Sequence, residues 1–388
     1  MSISSAGIPL TLYIHIPWCI RKCPYCDFNS YQKNGELPER LYIENLIEDL
    51  KKDLPLIQDR KLHSIFIGGG TPSLFSAKSL DTLLSETQKL IDFETSDIEI
   101  TLEANPGTFE QQRFSDYRKT GINRLSIGIQ SFQDAPLKAL GRIHNQQESL
   151  AAATGARKAG FENFNLDLMH GLPNQSIDDA MADLNLAIEQ APTHLSWYQL
   201  TLEPNTIFAK YPPKLPEEEA LWDIQQQGEK LLAKNGFKQY EVSAYCRDQH
   251  VSEHNLNYWQ FGDYLGIGAG AHSKITDAST QTIQRYHKTR NPVDYMNPDK
   301  SYLAGSRILT TSELPLEFLM NALRLKGGVP STLFKERTGL DSSVIQHKRS
   351  IGIKKGLLLD SDMQLCTTEK GFNFLNDCLS IFMGEEDE

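Results

Sequence analysis

The sequence predicts an α/β protein: a complete or partial (β/α) barrel followed by a small, mainly helical end domain. Three observations lead there. Short β-rich runs alternate with longer amphipathic stretches from residue 10 to residue 245. Their spacing, roughly 30 residues per unit, is that of β–α repeats with a parallel sheet and helices packed outside. After residue 245 the alternation stops and the texture changes. An open doubly wound sheet is the alternative for the same pattern.

Taken in order, LTLYIHI (10–16) opens the series, and PERLYIENLIEDLKKDL (38–54) follows as a helix. SIFIGGG (64–70) precedes a helix over 76–91, and IEITLEA (98–104) a helix over 108–121 that closes on Gly121. RLSIGIQ (124–130) leads to a helix over 145–160 ending at Gly160. NFNLDLMHG (163–171) leads to a helix over 176–191, where Ser176 stands before Asp178 and Asp179 as a helix start requires. HLSWYQLT (194–201), a helix over 216–236 closed by Gly236, and a seventh strand YEVSAY (240–245) complete it.

Beyond that point CRDQHVSEHNLNYWQFGDYLGIGAGAHS (246–273) is rich in Gly, His and aromatic residues, and KTRNPVDYMNPDK (288–300) reads as a linker. A helix over 313–328, a hairpin in LLLDSDMQLCTT and a final helix suggest a winged-helix-like module. The expected units are therefore 8–245, 246–300 and 301–388, the last an interaction or lid domain.

The chain has 388 residues and a net charge of −11, which argues against nucleic-acid binding, since that needs Lys and Arg to neutralise phosphates. No run approaches the roughly 18 apolar residues that span a bilayer. The start MSISSAGIPL lacks the basic and apolar regions of a signal peptide, so a cytoplasmic protein is expected. Nothing in the charge pattern asks for peripheral membrane contact, although the sequence is compatible with it and with a homodimer.

Three of the 6 cysteines, Cys19, Cys23 and Cys26, form C-x3-C-x2-C directly after the first strand. Three thiolates can hold a metal centre without completing it: structural zinc takes four protein ligands, and a [4Fe–4S] cluster usually takes four cysteines. An iron left open is a position for chemistry. Zinc with His15 as fourth ligand is the competing assignment. Cys246, Cys366 and Cys378 show no paired spacing and read as ordinary thiols. In a (β/α) barrel, chemistry gathers where strands end. Polar residues collect there: Tyr13 and His15, Gly68–Pro72, Glu103 and Asn105, Gln130, and Asp167 to His170. GGGTP is neither a Walker loop nor a dinucleotide fingerprint, but three residues without Cβ let a ligand approach the backbone.

The cysteine loop after strand one and GGGTP after strand two resemble the radical S-adenosylmethionine superfamily. YIHIPWCIRKCPYCDFNS, FIGGGTPS, LEANPG, RLSIGIQSF, LGRIH and NLDLMHGLP are similar to the group of oxygen-independent coproporphyrinogen III oxidase and its haem-chaperone relatives. The resemblance implies a radical-SAM barrel with a [4Fe–4S] cluster on Cys19, Cys23 and Cys26. It implies S-adenosylmethionine held by Tyr13, Gly69, Gly70, Thr71, Glu103, Gln130, Arg142 and Asp167. The oxidase motif has a further cysteine where this chain has Phe28, and a long N-terminal extension that this chain lacks. HNLNYW (254–259) instead matches the HN-x-x-YW motif of the chaperones, which implies His254 as the haem-iron ligand. The expected function is haem binding and delivery to respiratory haem proteins, with no reaction catalysed; the alternative is the oxidative decarboxylase of porphyrin synthesis.

Overall fold

Apolar residues alternate with polar or small ones along the central strands, and the fold is built on that alternation. The computed structural model describes residues 3–107 and 111–383. Twelve strands form one sheet: β1 (Leu10–Ile16), β2 (Leu62–Gly69), β3 (Glu99–Ala104), β4 (Arg124–Gln130), β5 (Asn163–His170), β6 (His194–Gln199), β7 (Lys238–Glu241), β8 (Ala244–Cys246), β9 (Asp263–Ile267), β10 (His272–Asp277), β11 (Thr282–Lys288) and β12 (Leu303–Ile308). Their order is β12-β11-β10-β9-β1-β2-β3-β4-β5-β6-β8-β7. Strands β9 and β1 to β6 run parallel. The outer strands differ, so the barrel is partial.

One face of the sheet is apolar. Leu12, Ile14, Ile65, Leu102, Ile127 and Leu166 bury against the helix layer, where Leu46, Leu83 and Leu184 meet them. Each such side chain contributes ~1.5–3 kcal/mol on burial. The other face turns inward and is polar: Tyr13, Glu103, Ser126, Asp167 and Ser196 line the lumen. The helices that cover the outside are α1 (Glu39–Ile57), α2 (Ala77–Leu90), α3 (Phe114–Lys119), α4 (Asp134–Ala139), α5 (Gln146–Lys158), α6 (Ile177–Glu189) and α7 (Glu218–Lys234). Ser176 caps α6 with a reciprocal capping box, as its position in the sequence requires. The helix expected over 108–121 starts on residues outside the described ones; its described part is α3.

The seventh parallel strand expected over 240–245 is instead the hairpin β7–β8, with β8 antiparallel to β6. The parallel position on the other side of β1 is taken by β9, from the Gly-rich segment expected as a motif and linker region. Helix α8 (Glu253–Trp259) precedes β9 and closes the floor of the lumen. The end region has its own core around Phe318, Leu319, Phe334, Ile345 and Leu379. It carries α9 (Leu314–Ala322), α10 (Thr332–Thr338), α11 (Ser343–Lys354) and a small ribbon pairing Val329–Pro330 with Gln364–Leu365. No helix of the described residues is long and apolar enough to cross a membrane.

Candidate functional site

The cysteine loop leaves β1 and is pinned by its own backbone. Trp18–Cys19 pairs with Tyr31–Gln32, and Lys22 donates to the carbonyls of Phe28 and Ser30 at 3.1 Å each. Asn29 ties the loop to the far wall: its Nδ2 donates to the carbonyls of Ala269 and Arg290 at 2.8 Å. Cys19 is buried and Cys23 and Cys26 are half-buried. Burial pushes the Cys19 thiol up to about 11 and that of Cys26 upward. Among the described residues no three His, Cys, Asp or Glu side chains group as a single metal ion requires. A cluster that takes one thiolate per iron does not need such a meeting point. His15 is committed elsewhere, with Nδ1 3.0 Å from the Tyr13 hydroxyl and Nε2 2.9 Å from the Asn29 carbonyl. Both ring nitrogens of His15 are thus engaged within the protein.

The glycine run serves the protein as well as any ligand. Gly69 has φ +117°, and a Cβ there would stand 2.6 Å from the His15 ring. A Cβ on Gly70 would stand 2.6 Å from the Trp18 carbonyl oxygen. Gly70 and Thr71 also donate to the carbonyls of Ile16 and Trp18, so the run splints the start of the cysteine loop.

Facing that loop is a cavity of about 480 Å³ lined by Cys19, Cys23 and Cys26 together with Gly69, Gly70, Thr71, Glu103, Gln130, Arg142 and Asp167. Seven of the eight residues expected to hold S-adenosylmethionine thus share one pocket with the cysteines. Gln130 reaches it through strain: a bulge interrupts the β4–β5 pairing between Ile127 and Gln130, and Gln130 takes φ 65°. Its Oε1 accepts from the Tyr198 hydroxyl at 2.9 Å. Arg142 donates to the Asn105 side chain at 2.7 Å and the Gly128 carbonyl at 2.8 Å, and its Nη1 lies 3.8 Å from the Cys23 sulfur. Its Nε is buried and unpartnered among the described residues, a donor suited to a carboxylate. Glu103 accepts from the Gly69 amide at 2.9 Å. Burial, then the Asp167 charge, push its carboxyl up to about 8. Burial also raises Asp167, against its bonds from Ser126 at 2.9 Å and Asn165 at 2.8 Å. Two buried carboxyls and one unsatisfied guanidinium fit a zwitterion that carries an extra positive charge.

Tyr13 and His254 stand apart from that pocket. Both line a lower chamber of about 260 Å³ that shares Glu103, Ser126, Asp167 and Ser196 with it. His254 is 1% exposed, with Nδ1 3.0 Å from the Ser64 hydroxyl and Nε2 2.9 Å from that of Tyr258. Burial, then the charges of Arg124 and His63, lower it to about 3, so the ring is neutral. Glu99 holds its helix in place by accepting from the Glu253 and His254 amides at 3.2 Å each. Tyr25, Asn105 and Tyr198 also belong to the upper pocket. Asn105 was visible as a strand-end polar residue; Tyr25 and Tyr198 carry no sequence signal that separates them from core tyrosines.

Residues 13–187 match the model of the radical SAM superfamily, and residues 309–374 that of the HemN C-terminal domain. The chain is 52% identical to the haem chaperone HemW of Haemophilus influenzae, over 97% of this chain and 99% of the relative. It is 49% identical to HemW of Escherichia coli over the same shares, and 31% identical to HemW of Bacillus subtilis over 96% and 99%. Among solved structures it superposes on coproporphyrinogen III oxidase (HemN) of Escherichia coli with TM-score 0.81 and 22% identity, covering 97% of this chain and 90% of that one.

Proposed function

The chain belongs to the HemW family of the radical SAM superfamily, and on that premise we propose that it is a haem chaperone. It carries a [4Fe–4S] cluster and S-adenosylmethionine, works in the cytoplasm and delivers haem to respiratory haem proteins without itself catalysing a reaction. The observation that carries the reading is the place of the HN-x-x-YW helix. His254 and Tyr258 form the floor of the lumen whose mouth holds the three cysteines.

Cys19, Cys23 and Cys26 hold the cluster and leave one iron for the cofactor. The unpartnered Nε of Arg142 takes the methionine carboxylate, and Glu103 and Asp167 take the ammonium group or the ribose hydroxyls. Gln130, Gly69, Gly70 and Thr71 supply amide and hydroxyl groups around it, while Tyr13 closes the pocket from below. When bound, the cluster would supply a redox-active iron beside the cofactor. His254 offers Nε2 to the haem iron once the Tyr258 hydroxyl releases it.

The test is an anaerobic spectroscopic titration of ferric haem into cluster-loaded wild type and His254→Ala, followed by transfer to an apo-cytochrome. Saturable binding of which one equivalent is weakened in the variant, with transfer from the wild type, supports the proposal. A wild type that binds haem and transfers none to any acceptor refutes delivery. Anaerobic decarboxylation of coproporphyrinogen with release of 5′-deoxyadenosine would replace the chaperone with the oxidase.

A further inference from the structure

Outside the lumen lies a larger groove of about 850 Å³ that no expected site residue except Tyr13 enters. Its size is that of pockets for extended organic ligands. One wall is the hairpin β10–β11. His272 pairs with His287 and Lys274 with Arg285 across the antiparallel ladder, so period-two alternation turns all four toward the groove. Tyr264, the cross-strand partner of Lys274 on β9, continues that wall, and Phe28, Tyr258 and Trp259 add aromatic surface to the groove.

The imidazoles of His272 and His287 stack at 5.9 Å between centroids with 27° between planes, and both residues are exposed. Neither ring holds a hydrogen bond among the described residues, unlike His15 and His254. Gly305 pairs with His287 on the neighbouring strand, and a Cβ there would stand 2.5 Å from its ring, so glycine gives that imidazole room to lie against the sheet. Burial, then the charges of His287, Arg285 and Arg290, lower the pKa of His272. Of the three cations that line the groove, Lys274 is neutralised by Asp263 at 2.6 Å and Arg285 by Glu317 at 2.5 Å. Arg290 has only a 3.5 Å contact from Nε to Asn29, and its terminal nitrogens are free among the described residues.

Aromatic surface, an unpaired guanidinium and two unbonded imidazoles match a planar macrocycle with carboxylate arms and a Lewis-acidic metal at its centre. We propose that this groove is an entry site for haem, with His272 or His287 as axial ligand and Arg290 on a propionate, distinct from His254. The inference rests on the haem-chaperone reading. It deepens it, because Tyr258 of the same motif lines both the groove and the chamber that holds His254.

The test is ferric haem titration, read by the Soret band and by spin state, into wild type, His254→Ala, and the doubly substituted H272Q/H287Q. These histidines are exposed, and far-UV circular dichroism checks that the double variant folds. The groove site predicts that wild type takes up a further equivalent of haem beyond that at His254, which His254→Ala keeps and H272Q/H287Q binds at least about tenfold more weakly, with loss of its Soret shift. Iron-free protoporphyrin IX should bind wild type and H272Q/H287Q alike and weaken in Arg290→Gln. Haem binding by H272Q/H287Q equal to wild type would overturn the site and leave the chaperone reading intact. Loss of protoporphyrin binding in H272Q/H287Q would also overturn it, since the histidines would then shape the groove rather than ligate. No haem binding by wild type would remove the reading on which the site rests.

Discussion

Glu103 shows what one buried carboxyl contributes to the site. It is pushed up to about 8, chiefly by burial and then by the Asp167 charge, so much of it is protonated at neutral pH before a ligand arrives. A cation beside it favours the ionised form, and binding below that pH must release a proton. The affinity for S-adenosylmethionine should therefore climb with pH by up to about tenfold per unit and level off above about 8. Calorimetric titration across that range checks it, and Glu103→Gln should flatten the profile. A flat wild-type profile would mean that Glu103 meets no positive group. The residue itself was legible, because a carboxylate ending a strand stands out against IEITL. Its neighbour Asp167 lies far along the chain, and only the inward face of β5 brings them together.

At the scale of elements, helix α8 depends on a strand it never follows in sequence. Glu99, on β3, accepts from the first amides of α8 and also lies 3.7 Å from Arg124 Nε, both side chains being buried. Glu99→Ala removes a helix cap, worth about 1 kcal/mol. It also strands a buried guanidinium, a loss of about 3 kcal/mol or more. The urea midpoint should fall with little change in slope, and an unchanged midpoint would show that Arg124 finds another partner. Strands such as 10–16 and 124–130 could be read to the residue because both faces are buried and β-branched residues recur. YEVSAY misled because β propensity does not distinguish a parallel strand from half of a hairpin. DYLGI does not stand out as a strand because the glycines around it, Gly262, Gly268 and Gly270, resemble a loop; Gly266 is glycine because a Cβ there would stand 2.1 Å from the His272 carbonyl oxygen. The His272–His287 pair was invisible for a related reason, since a cross-strand neighbour exists only once the register is known.

For the whole molecule, scaffold and activity separate. The chain shares its fold with coproporphyrinogen III oxidase at TM-score 0.81 while keeping 22% of its residues, so architecture does not decide between carrying a tetrapyrrole and transforming one. Phe28 stands where the resemblance to the oxidase implies a further cysteine, and the residue is 55% exposed and lines both lumen chambers and the groove. Phe28→Cys should leave the protein unable to decarboxylate coproporphyrinogen under anaerobic conditions, because one thiol does not rebuild a substrate pocket. Product formation by that variant would mean that the cysteine alone separates the two activities.

Asn29 belongs to the cysteine loop, yet two of its bonds reach the backbone at Ala269 and Arg290 on the rim of the groove. The protein thereby works as an interlock. Asn29→Ala would release both ends of that tie at once, so a single side chain couples the loop to the rim.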